Sequence, residues 1–174
     1  MTLGFDGHPS DGVRGPSHAA SMQDASGDDA GVREGPAPHG VEQRLAGLNV
    51  LVVEDEPDAR EIVGALLESR GARVVLTASA AEAYVSLDRE LPDIIVSDVG
   101  MPDEDGYQFV RRVRSFAPER GGSTPIVALT AYSSPQDRLR TRQAGYSHHL
   151  AKPVDAEELV TVLAGLSRGR AGIS

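Results

Sequence analysis

From Leu48 onward the chain switches repeatedly between short apolar runs and longer segments in which apolar residues recur every three or four positions. The run at 49–53 predicts a strand buried on both faces. Pro57, flanked by Glu56 and Asp58, opens a helix to about Ser69. Ile62, Val63, Leu66 and Leu67 fall on one face of it, and Gly71 ends it. Val74-Val75-Leu76 predicts a second strand. Ser79 then caps a helix through about Arg89, with Glu82 three residues on to complete a capping box. Ile94 to Ser97 is a third strand. The stretch Val99 to Gly106 is a Gly-, Pro- and Asp-rich loop.

A helix is expected from about Tyr107 to Ser115, with Phe109, Val110 and Val113 facing inward, followed by a polar loop over 117–125. Ile126 to Leu129 is a fourth strand. Ser134-Pro135 starts a helix that runs to Gly145. His148 to Ala151 is a weak fifth strand. Asp155, with Glu158 three residues on, caps a last helix that fades near Ser167. Strands alternating with helices predict an α/β fold with a doubly wound, five-stranded parallel sheet. The flavodoxin-like (βα)5 order 2-1-3-4-5 is expected. Strands 1, 3 and 4 are the most apolar and so belong at its centre.

In such a sheet the carboxyl ends of the strands share one edge, and ligands bind there. Glu54 and Asp55 follow strand 1, Asp98 follows strand 3, Thr130 follows strand 4 and Lys152 follows strand 5. These five can converge into one pocket of carboxylates, a hydroxyl and an ammonium. Three carboxylates in one pocket repel unless a cation offsets them. Oxygen ligands of this kind suit Mg²⁺, and a carboxylate can act as a nucleophile toward phosphorus. Taken singly, each residue has a plainer role: helix-dipole compensation for Glu54 and Asp55, a turn for Asp98, a buried hydroxyl for Thr130, a surface charge for Lys152. Pro153 restricts Lys152, and a cis bond between them would hold the lysine toward the pocket.

Composition narrows the classes. The chain has 174 residues and a formal net charge of -9, which argues against non-specific nucleic-acid binding. It has no Cys, so thiolate chemistry and Cys-ligated zinc are excluded. No apolar run is long enough for a membrane span, no secretory leader pattern is present, and a cytoplasmic location is expected. Residues 1–44 form an acidic extension expected to be disordered. Within the first 40, Gly, Ala, Ser and Pro supply 21. His8, His18 and His39 there are too widely spaced to read as a metal tract. Residues 45–168 are the expected folded domain and 169–174 a short tail.

Five segments, in order, resemble the receiver domain of two-component response regulators. They are Val52-Val53-Glu54-Asp55-Glu56-Pro57, Asp93 through Pro102, Asp105-Gly106-Tyr107, Pro125 through Ala131, and Ala151-Lys152-Pro153-Val154. Gly100-Met101-Pro102 with Glu104 through Tyr107 looks most like receivers at the end of hybrid histidine kinases. The resemblance implies that Asp98 accepts a phosphoryl group from a histidine kinase or histidine phosphotransfer protein. It implies Mg²⁺ (or Mn²⁺) on Asp55, Asp98 and the Gly100 carbonyl, with Glu54 acting through water. Thr130 and Lys152 would hold the phosphoryl oxygens. The protein would then be a signalling phosphoacceptor rather than an enzyme acting on other substrates. Its downstream protein target is unknown, and a weak homodimer is an option. With few residues after Ser167, a stand-alone receiver or the end of a hybrid kinase is expected.

Departures from the family pattern carry their own expectations. The aromatic that often stands three residues before the lysine is His149 here, which adds pH dependence near neutrality. An exposed place on an edge strand is the expected setting for it. Tyr132, two residues past Thr130, is expected to exclude water from an acyl phosphate. Arg138, Arg140 and Arg142 opposite Asp155, Glu157 and Glu158 read either as solvated faces or as a mixed-charge partner surface. Three other functions compete. A receiver-like interaction module without phosphoryl turnover shares the pocket. A Mg²⁺-dependent phosphatase of the haloacid dehalogenase type needs a second Asp where Gly100 stands. A flavin carrier would need a phosphate loop where Glu54-Asp55-Glu56 would repel the ligand.

Overall fold

The computed structural model describes residues 43–171. The extension therefore falls outside the described residues except for Gln43 and Arg44, and so do the three dispersed histidines and residues 172–174. Five strands alternate with five helices: β1 (Asn49–Val53), α1 (Pro57–Ser69), β2 (Arg73–Thr77), α2 (Ala80–Arg89), β3 (Ile94–Asp98), α3 (Gly106–Arg114), β4 (Ile126–Thr130), α4 (Pro135–Ala144), β5 (His148–Ala151) and α5 (Ala156–Ala171). All pairings are parallel and the sheet order is β2-β1-β3-β4-β5. β1, β3 and β4 are buried on both faces, which is why their sequences are continuous apolar runs rather than alternating ones.

Alternate strand residues feed two core layers. Val50, Val52, Ile94, Val96, Val127 and Leu129 pack with Val63 and Leu67 of α1 and with Leu159, Val160 and Leu163 of α5. Leu51, Val53, Ile95, Ile126 and Ala128 pack with Ala83 and Leu87 of α2 and with Phe109, Val110 and Val113 of α3. Among the described residues no helix is long and apolar enough to cross a membrane.

Four expectations are corrected. Ile62 does not face the core: it is 69% exposed, while Val63, Gly64 and Leu67 are the buried residues of α1. At about 100° per residue, Ile62 lies well round the helix from the arc of Val63, Gly64 and Leu67, on the solvent side. The loop at 117–125 contains a 3₁₀ turn, Pro118–Arg120, closed by Gly121 at φ 97°. The Ser79 hydroxyl accepts from the Glu82 amide, but the Glu82 carboxylate reaches back to the Ala78 amide instead of closing the box on Ser79. α5 continues past Ser167 to Ala171. In the acidic start of α5, Glu157 is engaged within the chain, on Arg70 at 2.5 Å and Arg44 at 3.4 Å.

Candidate functional site

Each acidic residue reaches the sheet edge because its strand ends there. β1 stops at Val53, and the chain then turns into α1 at Pro57, where no donor is needed. The Glu56 amide donates to Glu54 Oε1 at 3.2 Å. Arg60, one turn into α1, donates from Nη1 to the Glu54 carbonyl at 2.8 Å and to the Asp55 carbonyl at 3.3 Å. That clip fixes the backbone from which both carboxylates project. Arg60 carries no strand-end signal in the sequence. Only its place six residues after Glu54, on a helix starting at Pro57, marks it.

Glu54, Asp55 and Asp98 each offer a carboxylate oxygen within 4.8 Å of the other two. Glu54 and Asp98 are buried, whereas Asp55 is half-buried. Lys152 supplies the counter-charge, with Nζ 2.9 Å from Glu54 Oε2 and 3.2 Å from Asp98 Oδ1. The Lys152–Pro153 bond is cis. Burial, reinforced by the Asp98 charge, raises the Glu54 pKa above its ordinary value even though Lys152 works against it. Burial works against the charge on Lys152, but Glu54 and Asp98 together outweigh it, and its pKa is raised. Oxygen ligands, two of them buried, around one local cation are the donor set of a hard divalent ion.

The remaining pocket residues lie nearby in the fold. Asp98 pairs with Leu129 in the β3–β4 register, so Thr130 stands one residue further along the same edge. Its buried Oγ1 accepts from the Tyr132 amide at 3.0 Å. The Gly100 amide donates to Asp98 Oδ1 at 3.1 Å. The Tyr132 ring is 68% exposed and stands largely in solvent. The loop after Asp98 is held from two sides. Tyr84 of α2 donates to Glu104 at 2.6 Å, and the buried Tyr146 hydroxyl donates to the Gly106 carbonyl at 2.8 Å. A Cβ on Gly106 would lie 2.5 Å from Tyr146 Oη and 2.7 Å from the Asp98 carbonyl, so this close approach requires glycine. Nothing in the local pattern marks Tyr146 for this role.

His149 departs from its expected setting. It lies on edge strand β5 but is half-buried, and neither ring nitrogen finds a hydrogen-bond partner among the described residues. Burial, with the Arg138 charge beside it, lowers its pKa, while Asp137 opposes the shift. The two neighbouring histidines do not form a pair, because His148 is exposed and His149 points into the fold.

Comparison with known proteins agrees with this geometry. The family model described as the response regulator receiver domain matches residues 50–164. Response regulator Rre1 of Synechocystis sp. is 42% identical over 120 residues, which are 68% of this chain but only 51% of Rre1. The chain thus spans about half of that relative. Among solved structures, the receiver domain of sensor histidine kinase PA1611 from Pseudomonas aeruginosa is 38% identical with a TM-score of 0.63. The match covers 70% of this chain and 98% of that one, which holds a magnesium ion in its active-site cleft. The receiver domain of Ssk1 from Saccharomyces cerevisiae, solved with the histidine phosphotransfer protein Ypd1, is 27% identical. It aligns with a TM-score of 0.68 over 75% of this chain and 95% of that one. A five-stranded sheet in this order, an acidic cluster at its carboxyl edge and a match over most of the folded region lead to one conclusion: the chain belongs to the response regulator receiver domain family.

Proposed function

We propose that this chain is a phosphoacceptor in a histidine-to-aspartate relay, with Asp98 as acceptor. The observation that carries the reading is the juxtaposition of Glu54, Asp55 and Asp98 with the Lys152 ammonium. A carboxylate oxygen of Asp98 attacks the phosphorus of a donor phosphohistidine. The new O–P bond forms as the P–N bond breaks, and the electron pair leaves with the imidazole, which takes a proton. Lys152 offsets the charge that gathers on the phosphoryl oxygens, and the Thr130 hydroxyl donates to one of them. Asp55, Asp98 and the Gly100 carbonyl would hold Mg²⁺ or Mn²⁺, with Glu54 acting through water. A bound divalent ion supplies electrostatic stabilisation of the transferring group.

The donor is a histidine kinase or a histidine phosphotransfer protein, of the kind seen with the Ssk1 receiver. The phosphorylated state then alters contacts with a downstream protein in the cytoplasm. Its chemistry is confined to its own phosphorylation and dephosphorylation. Residues 45–168 form the receiver unit in this reading, and residues 1–44 and 169–174 are appended to it.

The test is label transfer from a phosphotransfer protein carrying [³²P]phosphohistidine. Label moves to the wild-type chain with Mg²⁺ and stays on the donor with EDTA. Asp55→Asn, which keeps the acceptor but removes a metal ligand, slows transfer at least about tenfold. Transfer that ignores both EDTA and this substitution would sink the metal assignment.

A further inference from the structure

The sheet has two edges, β2 and β5, and they are built differently. β5 reads His-His-Leu-Ala and borders a polar groove shared with Arg138 and Arg142 of α4. β2 reads Arg-Val-Val-Leu-Thr, with one charge and no proline. Its register to β1 runs from Asn49↔Arg73 to Val53↔Thr77 without a bulge. Edge strands ordinarily carry a proline, a bulge or inward charges, because an unpaired ladder recruits another chain. β2 has no proline, bulge or inward charge, and its one charged residue, Arg73, stands exposed at its start. Val75 is 47% exposed, and Leu76, on the opposite face of the sheet, is exposed as well. On the Val75 side a groove of about 750 Å³ opens between β2 and α2, and Val85 of α2, 52% exposed, stands in its wall.

We propose that this edge docks a second copy of the chain. β2 pairs antiparallel with β2 of the copy about a twofold axis at Val75, joining two five-stranded sheets. Charge admits this occupant here. The chain carries a net charge of -9, so two copies repel over most of their surface. Around the groove, Arg73 and Arg89 balance Glu82 and Glu90, and the patch is neutral. Sequence selects the direction. Antiparallel pairing about Val75 sets Arg73 opposite Thr77 of the copy, Val74 opposite Leu76, and Val75 opposite itself. No like charges face each other, and the central cross-strand pairs are aliphatic. Parallel pairing would set Arg73 on Arg73. A self-complementary patch of this kind is what a twofold interface requires. Because the strands oppose, the two carboxyl edges lie at opposite ends of the joined sheet, and both acidic pockets stay open.

The chain has no Cys, so single introduced thiols report the interface directly. In the full chain under mild oxidation, Val75→Cys forms a disulfide-linked dimer, because the twofold places that residue against itself. Leu139→Cys, exposed on α4, stays monomeric. Sedimentation equilibrium of the unmodified chain shows a reversible dimer, and Val75→Lys weakens association at least about tenfold, with a thermal midpoint unchanged at concentrations where both chains are monomeric. Any of four results would overturn the proposal: a wild-type monomer at millimolar concentration, undiminished association of Val75→Lys, cross-linking of Val75→Cys no faster than of Leu139→Cys, or a monomer with a small molecule seated in the groove.

Discussion

Lys152 sits where two buried carboxylates need a cation. Its ammonium lies 2.9 Å from Glu54 and 3.2 Å from Asp98, and removing it would leave the buried Glu54 without its counter-ion and push its pKa further up. The residues of this cluster were legible because each follows an apolar strand, and strand ends in a parallel sheet share an edge. Arg60 and Tyr146 were not legible. They act through backbone carbonyls, at Glu54, Asp55 and Gly106, and a carbonyl leaves no trace in the sequence. His149 was legible as a departure but not in its burial, since only the packing of α4 shows that the ring is half-covered. It yields a pH prediction. Burial first, then Arg138, depresses its folded pKa below the unfolded value. A depressed pKa contributes stability above the unfolded pKa, and that contribution is lost as pH falls through the folded one. Thermal midpoints of the wild type should therefore fall from pH 7 toward pH 5 more steeply than those of His149→Phe. Parallel curves would remove His149 as the titrating group.

At the scale of elements, α4 is the least secured helix. It buries only Thr141 and Ala144, and apart from the exposed Leu139 the rest of its surface is mostly polar. A helix with so little apolar surface buried gains little from packing, so its ends matter more. Its start is a full capping box: the Ser134 hydroxyl accepts from the Asp137 amide at 3.1 Å, and the Asp137 carboxylate accepts from the Ser134 amide at 3.2 Å. Gly145, at φ 116°, ends it. Ser134→Ala is predicted to cost about 1 kcal/mol. The loss should show as faster amide exchange across α4, while β1 and β3 keep their protection; uniform acceleration would mean that α4 does not open on its own. Helix starts were readable from Ser-Pro and Asp-x-x-Glu spacings. Extents were less so, because propensity does not say where packing stops. α5 runs on to Ala171 because nothing in Arg168-Gly169-Arg170 forbids a helix, although Gly169 weakens it. Ile62 was misplaced for a related reason: periodicity gives an apolar stripe but not which arc of it the sheet covers.

For the whole molecule, strand order decides the chemistry. Placing β1 beside β3, and β3 beside β4, gathers residues 54, 98 and 130 from segments far apart in the chain. The apolar runs put β1, β3 and β4 at the centre because those strands must be buried on both faces, and the full order was expected from the doubly wound fold class. The cluster so formed is strongly acidic and held by a single ammonium, an arrangement that fits the proposed divalent ion and phosphoryl group. The most direct test of Asp98 as acceptor is intact mass after incubation with acetyl phosphate, for the wild type and Asp98→Asn, with and without Mg²⁺. A gain of about 80 Da, one phosphoryl group on a carboxylate nucleophile, is predicted for the wild type with Mg²⁺ and for no other sample. The same gain in Asp98→Asn would contradict the assignment.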